Sequence, residues 1–423
     1  MTLQTPIRLT AAETALTEAY VRVVGDLPGD GAVASARDRL FQVLKTQGLP
    51  TRRREAWHYT DLKALLRSVP ANDRNMPDVR PAIVDGSLVL PVINGSASGL
   101  AGSGAIRASA FSESLGDGSA APGLTERERD DAIGQINGAF VTDGINLDIP
   151  AGYIAEKPVE LQVLHSAGQF HSRFPASFGA GSKITIIERH ANGGADAAFI
   201  STLSDIVLHD GADVTWVVLQ EQGVLDTHLG QIRVRLEKDA RLTLYIVNAG
   251  GQLVRHEVHV AVEGEGSDFK LRGINLLGGG SHTDVTMTLG HNVPNTTSTQ
   301  IIRNVVTNRA KGVFQGQIRV AQAAQKTDAR MACNTLLLSD EAEFSTKPEL
   351  EIFADDVQCA HGATVTDIDH TQLFYLEARG IPESKARGLL VQAFVAEIVE
   401  ELEDEALVES LETTITDWLE AHA

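Results

Sequence analysis

The sequence predicts a mainly β protein, with a parallel β-solenoid core between two helical regions. From about residue 150 the apolar side chains follow a period of two, short segments of this kind recur about every 27 residues, and polar Gly/Asp turns separate them. Before and after this stretch the apolar period is that of an α-helix. We therefore expect three regions: a mostly helical 1–149 with a loop-rich segment, the solenoid at 150–370, and a helical 371–423.

The N-terminal region is expected to begin with two helices. Apolar residues keep helical spacing over 16–23 and over 36–44, and Gly48 and Pro50 end the second helix. A third amphipathic helix is expected over 57–66, around Trp57.

A strand over 87–93 should follow. Residues 94–124 are rich in Gly, Ser and Ala and predict mostly loop with short strands. The helical period returns over 132–140, and Asp143-Gly144 interrupts it.

Two interleaved series of strands define the solenoid. One series begins at Ile184, Val214, Leu242 and Phe269, and the other ends at Leu208, Leu236, Val262 and Leu289. A repeat of two short strands without a helical pattern fits one coil of a solenoid better than a βαβ unit. Ile232 and Val234 should fill the core, with Arg233 and Arg235 in water. A β-sandwich with evenly spaced strands is the alternative architecture.

The C-terminal region predicts a helical hairpin at the end of the solenoid. Pro382 lies at the expected start of the first helix, whose apolar face covers 390–402, and a second stripe follows over 407–419. The outer surface of this hairpin is acidic, and a terminal appendage of this kind is a natural docking element.

Composition limits the classes of function. The net charge of -20 disfavours binding to nucleic acid or to an anionic membrane. The N-terminal stretch lacks an apolar signal core, and no run of 18 apolar residues occurs, so we expect a cytoplasmic protein. Two cysteines are too few for a disulfide framework or a closed Cys-rich metal site, so any cluster needs ligands from elsewhere.

Familiar enzyme signatures are missing from the sequence, which contains no P-loop, HExxH, CxxC or GxSxG motif. His256 and His259 should point to opposite faces of a strand, and we expect both to be ordinary surface or turn residues. Cys333 is expected to be a buried core thiol.

The remaining chemical candidate is the pair Cys359 and His361. If their segment is extended, the two side chains share a face, and a thiolate beside an imidazole is half of a site for iron or a sulfur species. Asp355 and Asp356 are expected to make the setting negative, to attract iron(II) and to raise the pKa of the thiol. Alternatively, Cys359 is a small buried hydrophobe and His361 caps a turn.

Residues 336–402, which include the run FADDVQCAHGATVTDIDH, closely resemble the C-terminal signature of the SufB/SufD family of iron-sulfur cluster assembly proteins. The segments INGAFVTDGINLDIPAG and GVFQGQIRV extend the resemblance over most of the chain. The segments CAHGAT and TRRREAWHYTDL are similar to the SufD branch of the family.

This resemblance implies a right-handed parallel β-helix and a scaffold subunit that is not an enzyme. It implies pairing with a SufB-like subunit through β-helix edges, and binding of a SufC-like ABC ATPase by the C-terminal helices. It also places His361 and Cys359 at a transient iron-sulfur cluster or iron on a shared interface, with no cofactor in the isolated chain. Cys333 gains no role, and the isolated chain is a candidate homodimer.

Two other classes of function remain open from the residues alone. A carbohydrate-active β-helix enzyme would use acidic residues along a groove of the solenoid. A purely structural interaction protein would use the Cys-Ala-His segment only to close a turn. A four-iron cluster normally needs four protein ligands, so a cluster site would need a partner.

Overall fold

The computed structural model describes residues 9–100, 104–125 and 130–422. The helices are α1 (Ala11–Val23), α2 (Gly31–Gln47), α3 (Leu62–Leu65), α4 (Phe111–Gly116), α5 (Ala132–Phe140), α6 (His370–Glu377), α7 (Glu383–Val399) and α8 (Glu405–His422). The first strands are β1 (Leu88–Ile93), β2 (Ser96–Ala97), β3 (Arg107–Ala110), β4 (Asp143–Ile149), β5 (Val159–His165), β6 (Gly168–Phe178), β7 (Lys183–Asn192), β8 (Ala198–Leu208) and β9 (Asp213–Glu221). The later strands are β10 (Thr227–Leu236), β11 (Arg241–Asn248), β12 (Leu253–Val262), β13 (Asp268–Leu277), β14 (His282–His291), β15 (Thr297–Val306), β16 (Lys311–Val320), β17 (Asp328–Leu337), β18 (Glu343–Ile352) and β19 (Gln358–Thr366).

The strands form a parallel β-solenoid of about eight turns, in which the chain alternates between two sheets. Sheet A has the order β19-β17-β15-β13-β11-β9-β7-β5-β1-β2, and sheet B has the order β18-β16-β14-β12-β10-β8-β6-β4-β3. Neighbours within each sheet are parallel, except for the antiparallel pairs β1 with β2 and β3 with β4. The mainly β fold and the solenoid architecture predicted from the sequence are confirmed. The sheets extend on the N-terminal side of residue 150, through β1 to β4.

Both predicted series of strands occur, one in each sheet. Ile184, Val214, Leu242 and Phe269 lie in neighbouring strands of sheet A, and Leu208, Leu236, Val262 and Leu289 in neighbouring strands of sheet B. The predicted turns join them: Gly211 and Asp239 adopt φ values of 67° and 55°, which glycine and aspartate tolerate better than most residues. The inward side chains of both sheets form one apolar core along the lumen.

The lumen also contains aromatic and charged side chains. Trp216 is fully buried inside it and donates its indole N–H to Glu188 Oε2 at 2.9 Å. His190 Nε2 lies 2.8 Å from the other oxygen of the same carboxylate. A buried carboxylate is tolerated there because hydrogen-bond partners replace the water that it has lost.

The C-terminal helices lie along the side of the solenoid and not at its end. Val395, Ile398, Leu411 and further residues of α6, α7 and α8 pack on the outward apolar face of sheet A. Pro382 precedes α7, as predicted, but α6 makes this region three helices rather than a hairpin. The apolar stripe read from the sequence is therefore largely used to cover sheet A.

The N-terminal helices cover the outward face of sheet B. The first two helices agree with the prediction, and Gly48 ends α2 with a φ of 68°. The third helix does not form over 57–66, where the structure has a 3₁₀ turn at Glu55–Trp57 and the short α3. The reason is a tertiary contact: the Arg255 guanidinium lies 3.9 Å from the centroid of the buried Trp57 ring and donates to the Ala56 carbonyl at 2.7 Å.

Two further expectations differ from the structure. Arg233 faces outward as predicted, but it is 5% exposed because Asp131, at the start of α5, covers it and pairs with it at 2.9 Å. The segment 94–124 contains the short strands β2 and β3, as predicted, but also the helix α4, which was not predicted; its residues 101–103 lie outside the described residues. Arg235 is exposed, as expected.

The N-terminal end of the solenoid is closed by short strands. β2 and β3 are two and four residues long and run antiparallel to the strands that they cover. Short edge strands of this kind offer little backbone for further pairing.

Within the described residues, no helix combines the length and the apolar character that crossing a membrane requires.

Candidate functional site

The other end of the solenoid is a coil formed by β18 and β19, and it is open to solvent. Within the described chain, β19 pairs only with β17 and β18 only with β16. Met331 and Cys333, one coil deeper in β17, are 3% and 1% exposed. Every residue of β18 and β19, by contrast, is partly or fully exposed. The lumen therefore opens at this end.

Cys359 and His361 lie in β19, so the prediction that their segment is extended is correct. The strand register places Cys359 beside Ala329 and His361 beside Met331. Because Ala329 and Met331 belong to the lumen core, Cys359 and His361 share the lumen-facing side of the terminal strand. The structure thus brings both predicted residues to one face, at the mouth of the lumen.

The surroundings of the two side chains differ. Cys359 is half-buried against the lumen core, and this burial raises the pKa of its thiol, with a further rise from the Asp328 carboxylate. His361 is exposed. The sequence had assigned the negative setting to Asp355 and Asp356, but Asp356 forms an ion pair with Lys326, so the carboxylate that acts on the thiol is Asp328.

The free edges of the two terminal strands are not equivalent. The Gln358 amide donates to the Thr327 carbonyl in the ladder towards β17, and donors alternate along a parallel strand. The amides of His361 and Ala363 therefore point to the open edge of β19. In β18 the same alternation, set by the Glu343 amide donating to Ala310, puts Pro348 at an edge-facing position. Proline has no N–H, so β18 is the blunted edge and β19 the open one.

The open coil does not by itself form a metal site in the described residues. No group of three or more His, Cys, Asp or Glu residues in the described part of the chain is arranged to hold a metal ion. Cys333 is buried one coil deeper, as predicted, where it accepts from Asn304 Nδ2 at 3.4 Å, and burial raises the pKa of its thiol to about 11. It remains a protonated core thiol near neutral pH.

His256 was expected to be a surface or turn residue, and this expectation is wrong. His259 is half-exposed on the outer face. His256 is 2% exposed inside the lumen, where its ring centroid lies 5.2 Å from that of His228. His228 in turn lies 4.7 Å from His190. The alternation of the strand could have predicted the burial of His256, because His256 is two residues before the core residue Val258 and shares its face.

The described chain is a parallel β-solenoid that β2 and β3 close at one end and that is open at the other end, where Cys359 and His361 lie. A family model described as "SUF system FeS cluster assembly, SufBD core domain" matches residues 163–394. The chain belongs to this family.

Named relatives agree with this assignment. The iron-sulfur cluster assembly protein SufD of Escherichia coli is 30% identical over 391 residues, covering 88% of this chain and 89% of the relative. A SufBD family protein of Synechocystis is 29% identical over 64% of this chain and 63% of its own length. Protein ABCI7 of Arabidopsis thaliana chloroplasts is 29% identical over 64% of this chain and 61% of its own length. This chain is thus a SufD-type SUF protein with a role in iron-sulfur cluster assembly.

Proposed function

We propose that this chain is a cytoplasmic, non-catalytic scaffold subunit that pairs with a SufB-like subunit at its open coil. Cys359 and His361 would present two ligands to a nascent iron-sulfur cluster or iron, which is the cargo of the complex and not a resident cofactor. The observation that carries this proposal is the position of the two side chains, together on the lumen side of a strand with an open edge. Four-iron clusters normally take four protein ligands, so the partner would supply the others.

The pairing can be tested through the open edge of β19. Ala363→Pro removes an amide that points away from β17, and proline is tolerated at such edge positions. Ala360→Pro is the matched control, because its amide donates inward to the ladder with β17 and its loss should damage the fold itself. We expect Ala363→Pro to keep the thermal stability of the isolated chain and to lose the SufB-like partner in co-purification. A normal heterocomplex with Ala363→Pro contradicts pairing through this edge.

The ligand roles can be tested by iron and sulfide analysis of the co-expressed complex. His361→Ala should abolish cluster yield while complex formation and melting temperature stay unchanged, since the exposed imidazole has no buried partner to lose. Cys359→Ser should reduce the yield less, because the half-buried thiol must first lose its proton. His58→Ala, another exposed histidine, is the control. Normal cluster yield in His361→Ala refutes the assignment.

We further propose that a SufC-like ABC ATPase docks on α6 and α7. Phe374, Tyr375 and Leu389 are 69%, 55% and 41% exposed there, and exposed large apolar side chains close together are typical of interaction surfaces. Phe374→Ser should weaken ATPase binding by tenfold or more, a loss of about 1.4 kcal/mol. Val224→Ser, which removes an equally exposed side chain from a distant turn, should have no effect. Equal affinities of both variants would place the ATPase elsewhere.

The isolated chain is expected to use the same open edge for a homodimer. Sedimentation should then show a dimer for the native chain and a monomer for Ala363→Pro. A SufB-like partner added in excess should displace the second copy.

A further inference from the structure

A row of hydrogen-bonded side chains crosses the outer face of sheet A and ends on the terminal strand. Arg303 of β15, Asn334 of β17 and Thr364 of β19 are register partners in three neighbouring strands. Arg303 Nη1 donates to Asn334 Oδ1 at 2.8 Å, and Asn334 Nδ2 donates to Thr364 Oγ1 at 2.8 Å. Since arginine can only donate, the amide of Asn334 is fixed with its oxygen towards Arg303 and its nitrogen towards Thr364.

The helix α7 holds the other end of this row. Glu397 of α7 accepts from Arg303 Nη2, and the Arg303 guanidinium lies 5.4 Å from the centroid of the Phe394 ring, about one turn earlier in the same helix. The Arg303 side chain is 13% exposed. Because α7 packs on β13 and β15, the row connects this helix to β19, which lies two strands beyond β15 in sheet A.

The terminal strand β19 has little else to hold its outward face. In the described chain it pairs with β17 alone, and all of its residues are at least partly exposed. Among the described residues, the bond from Asn334 to Thr364 is the only hydrogen bond between side chains that reaches β19. Exposed segments with few contacts open locally at a low free energy, so one bond on this face changes how often β19 leaves the ladder.

We propose that Arg303 and Asn334 are positioning residues that couple the order of β19 to the seating of α7 on sheet A. While Glu397 holds the Arg303 guanidinium in one orientation, the amide of Asn334 is aimed at Thr364. When α7 shifts, Arg303 loses its ion pair, and the strand that carries the two proposed ligands opens more often. The bearing of this coupling on cluster assembly rests on the proposed function.

The test is hydrogen–deuterium exchange of the isolated full-length chain, measured by mass spectrometry on peptides that cover β19. Arg303→Met, and Glu397→Ala at three hydrogen bonds from β19, should each raise exchange in β19 about fivefold. Exchange in β9 and β11, far from the open coil, should keep its native rate. Arg330→Met is the matched control, because this exposed arginine of β17 pairs with Asp328 of its own strand, and it should leave exchange in β19 unchanged.

Two comparisons separate a row that acts in series from independent local contacts. Asn334→Leu should raise exchange in β19 about fivefold. Asn334→Asp should keep the native rate, because a carboxylate accepts from Arg303 and the Thr364 hydroxyl can turn to donate to it. In a series, the double variant Glu397→Ala, Thr364→Val should exchange no faster than the faster single variant, whereas independent contacts would multiply to about twenty-fivefold.

Native exchange in β19 of Glu397→Ala and Arg303→Met, or multiplied rates in the double variant, overturns the proposal. Glu397 is exposed on its helix, so its variant keeps the test decisive if Arg303→Met fails to fold. The measurement uses no partner, iron or sulfide and is independent of the proposed function. If His361→Ala still assembles clusters while Glu397→Ala loosens β19, the scaffold assignment fails and the coupling stands.

Discussion

Acidification should destabilise this protein well above the pH at which carboxylates titrate, because several histidines are buried without charge. His171, His228, His256 and His291 are all at most 3% exposed. Burial lowers the pKa of His171 and His256 to about 3 and that of His291 to about 4, and it lowers the pKa of His228 well below its usual value. Hydroxyl or amide groups are their hydrogen-bond partners, for example Ser201 with His171 and Asn248 with His256.

The sign and the size follow from proton linkage. In the unfolded chain these histidines have pKa values of about 6.5, so the unfolded state binds more protons than the folded state below that pH. Stability is therefore complete above pH 6.5 and falls as the pH drops. Each of these histidines lowers the unfolding free energy by about 1.4 kcal/mol per pH unit below 6.5. The four together lower it by about 5 kcal/mol between pH 7.5 and 5.5. This is a large part of the 5–15 kcal/mol typical of a folded domain.

The assay is urea denaturation followed by tryptophan fluorescence at pH 7.5, 6.5 and 5.5. Replacing His256 with Asn should reduce the loss of stability between pH 7.5 and 5.5 by about 1.4 kcal/mol, because one titrating histidine is removed. An unfolding free energy that changes by less than about 1 kcal/mol between pH 7.5 and 5.5 would refute the reasoning.

Three further perturbations test the packing. Trp57→Ala should lower the unfolding free energy by about 3–5 kcal/mol in urea titrations, because it leaves a cavity and uncovers the buried Arg255. A loss under about 1 kcal/mol would contradict a stabilising contact between Trp57 and Arg255. Gly144→Ala, at a φ of 151° and against a backbone carbonyl, should prevent soluble expression, whereas Gly152→Ala, at a φ of 69° in open space, should cost about 1 kcal/mol. Deletion of 382–423 should expose the apolar face of sheet A and give aggregates in size-exclusion chromatography; a monomeric product would show that these helices are dispensable for the solenoid.

The repeat was predictable because the core residues of each solenoid coil lie close together in the sequence and recur at a regular spacing. Each coil places the same positions inward, so inward apolar residues recur once per coil. Val214 and Leu242 are one coil apart, and this spacing predicts that they lie in neighbouring strands. The common face of Cys359 and His361 followed from the same alternation. Only the assumption that their segment is extended was needed, and β19 satisfies it.

What the sequence did not disclose depends on contacts between distant segments. Arg233 alternates like a surface residue, and only the position of Asp131, about 100 residues away in the chain, shows that it is covered. The third N-terminal helix failed because Arg255 holds the backbone at Ala56 in another conformation. Likewise, the register between β17 and β19, which places Met331 beside His361 in the ladder, depends on the length of the intervening coil.

The contrast between the two ends of the solenoid limits the sizes of assembly that it can form. A repeat protein with two open ends could add copies indefinitely and grow into a filament, since each addition exposes a new end. Here β2 and β3 block one end, and Pro348 blunts half of the other. If a second chain pairs with β19, as proposed above, addition would therefore stop after a single step and leave a closed pair. A chain lacking β2 and β3 would lose this chain-terminating property and could polymerise head to tail.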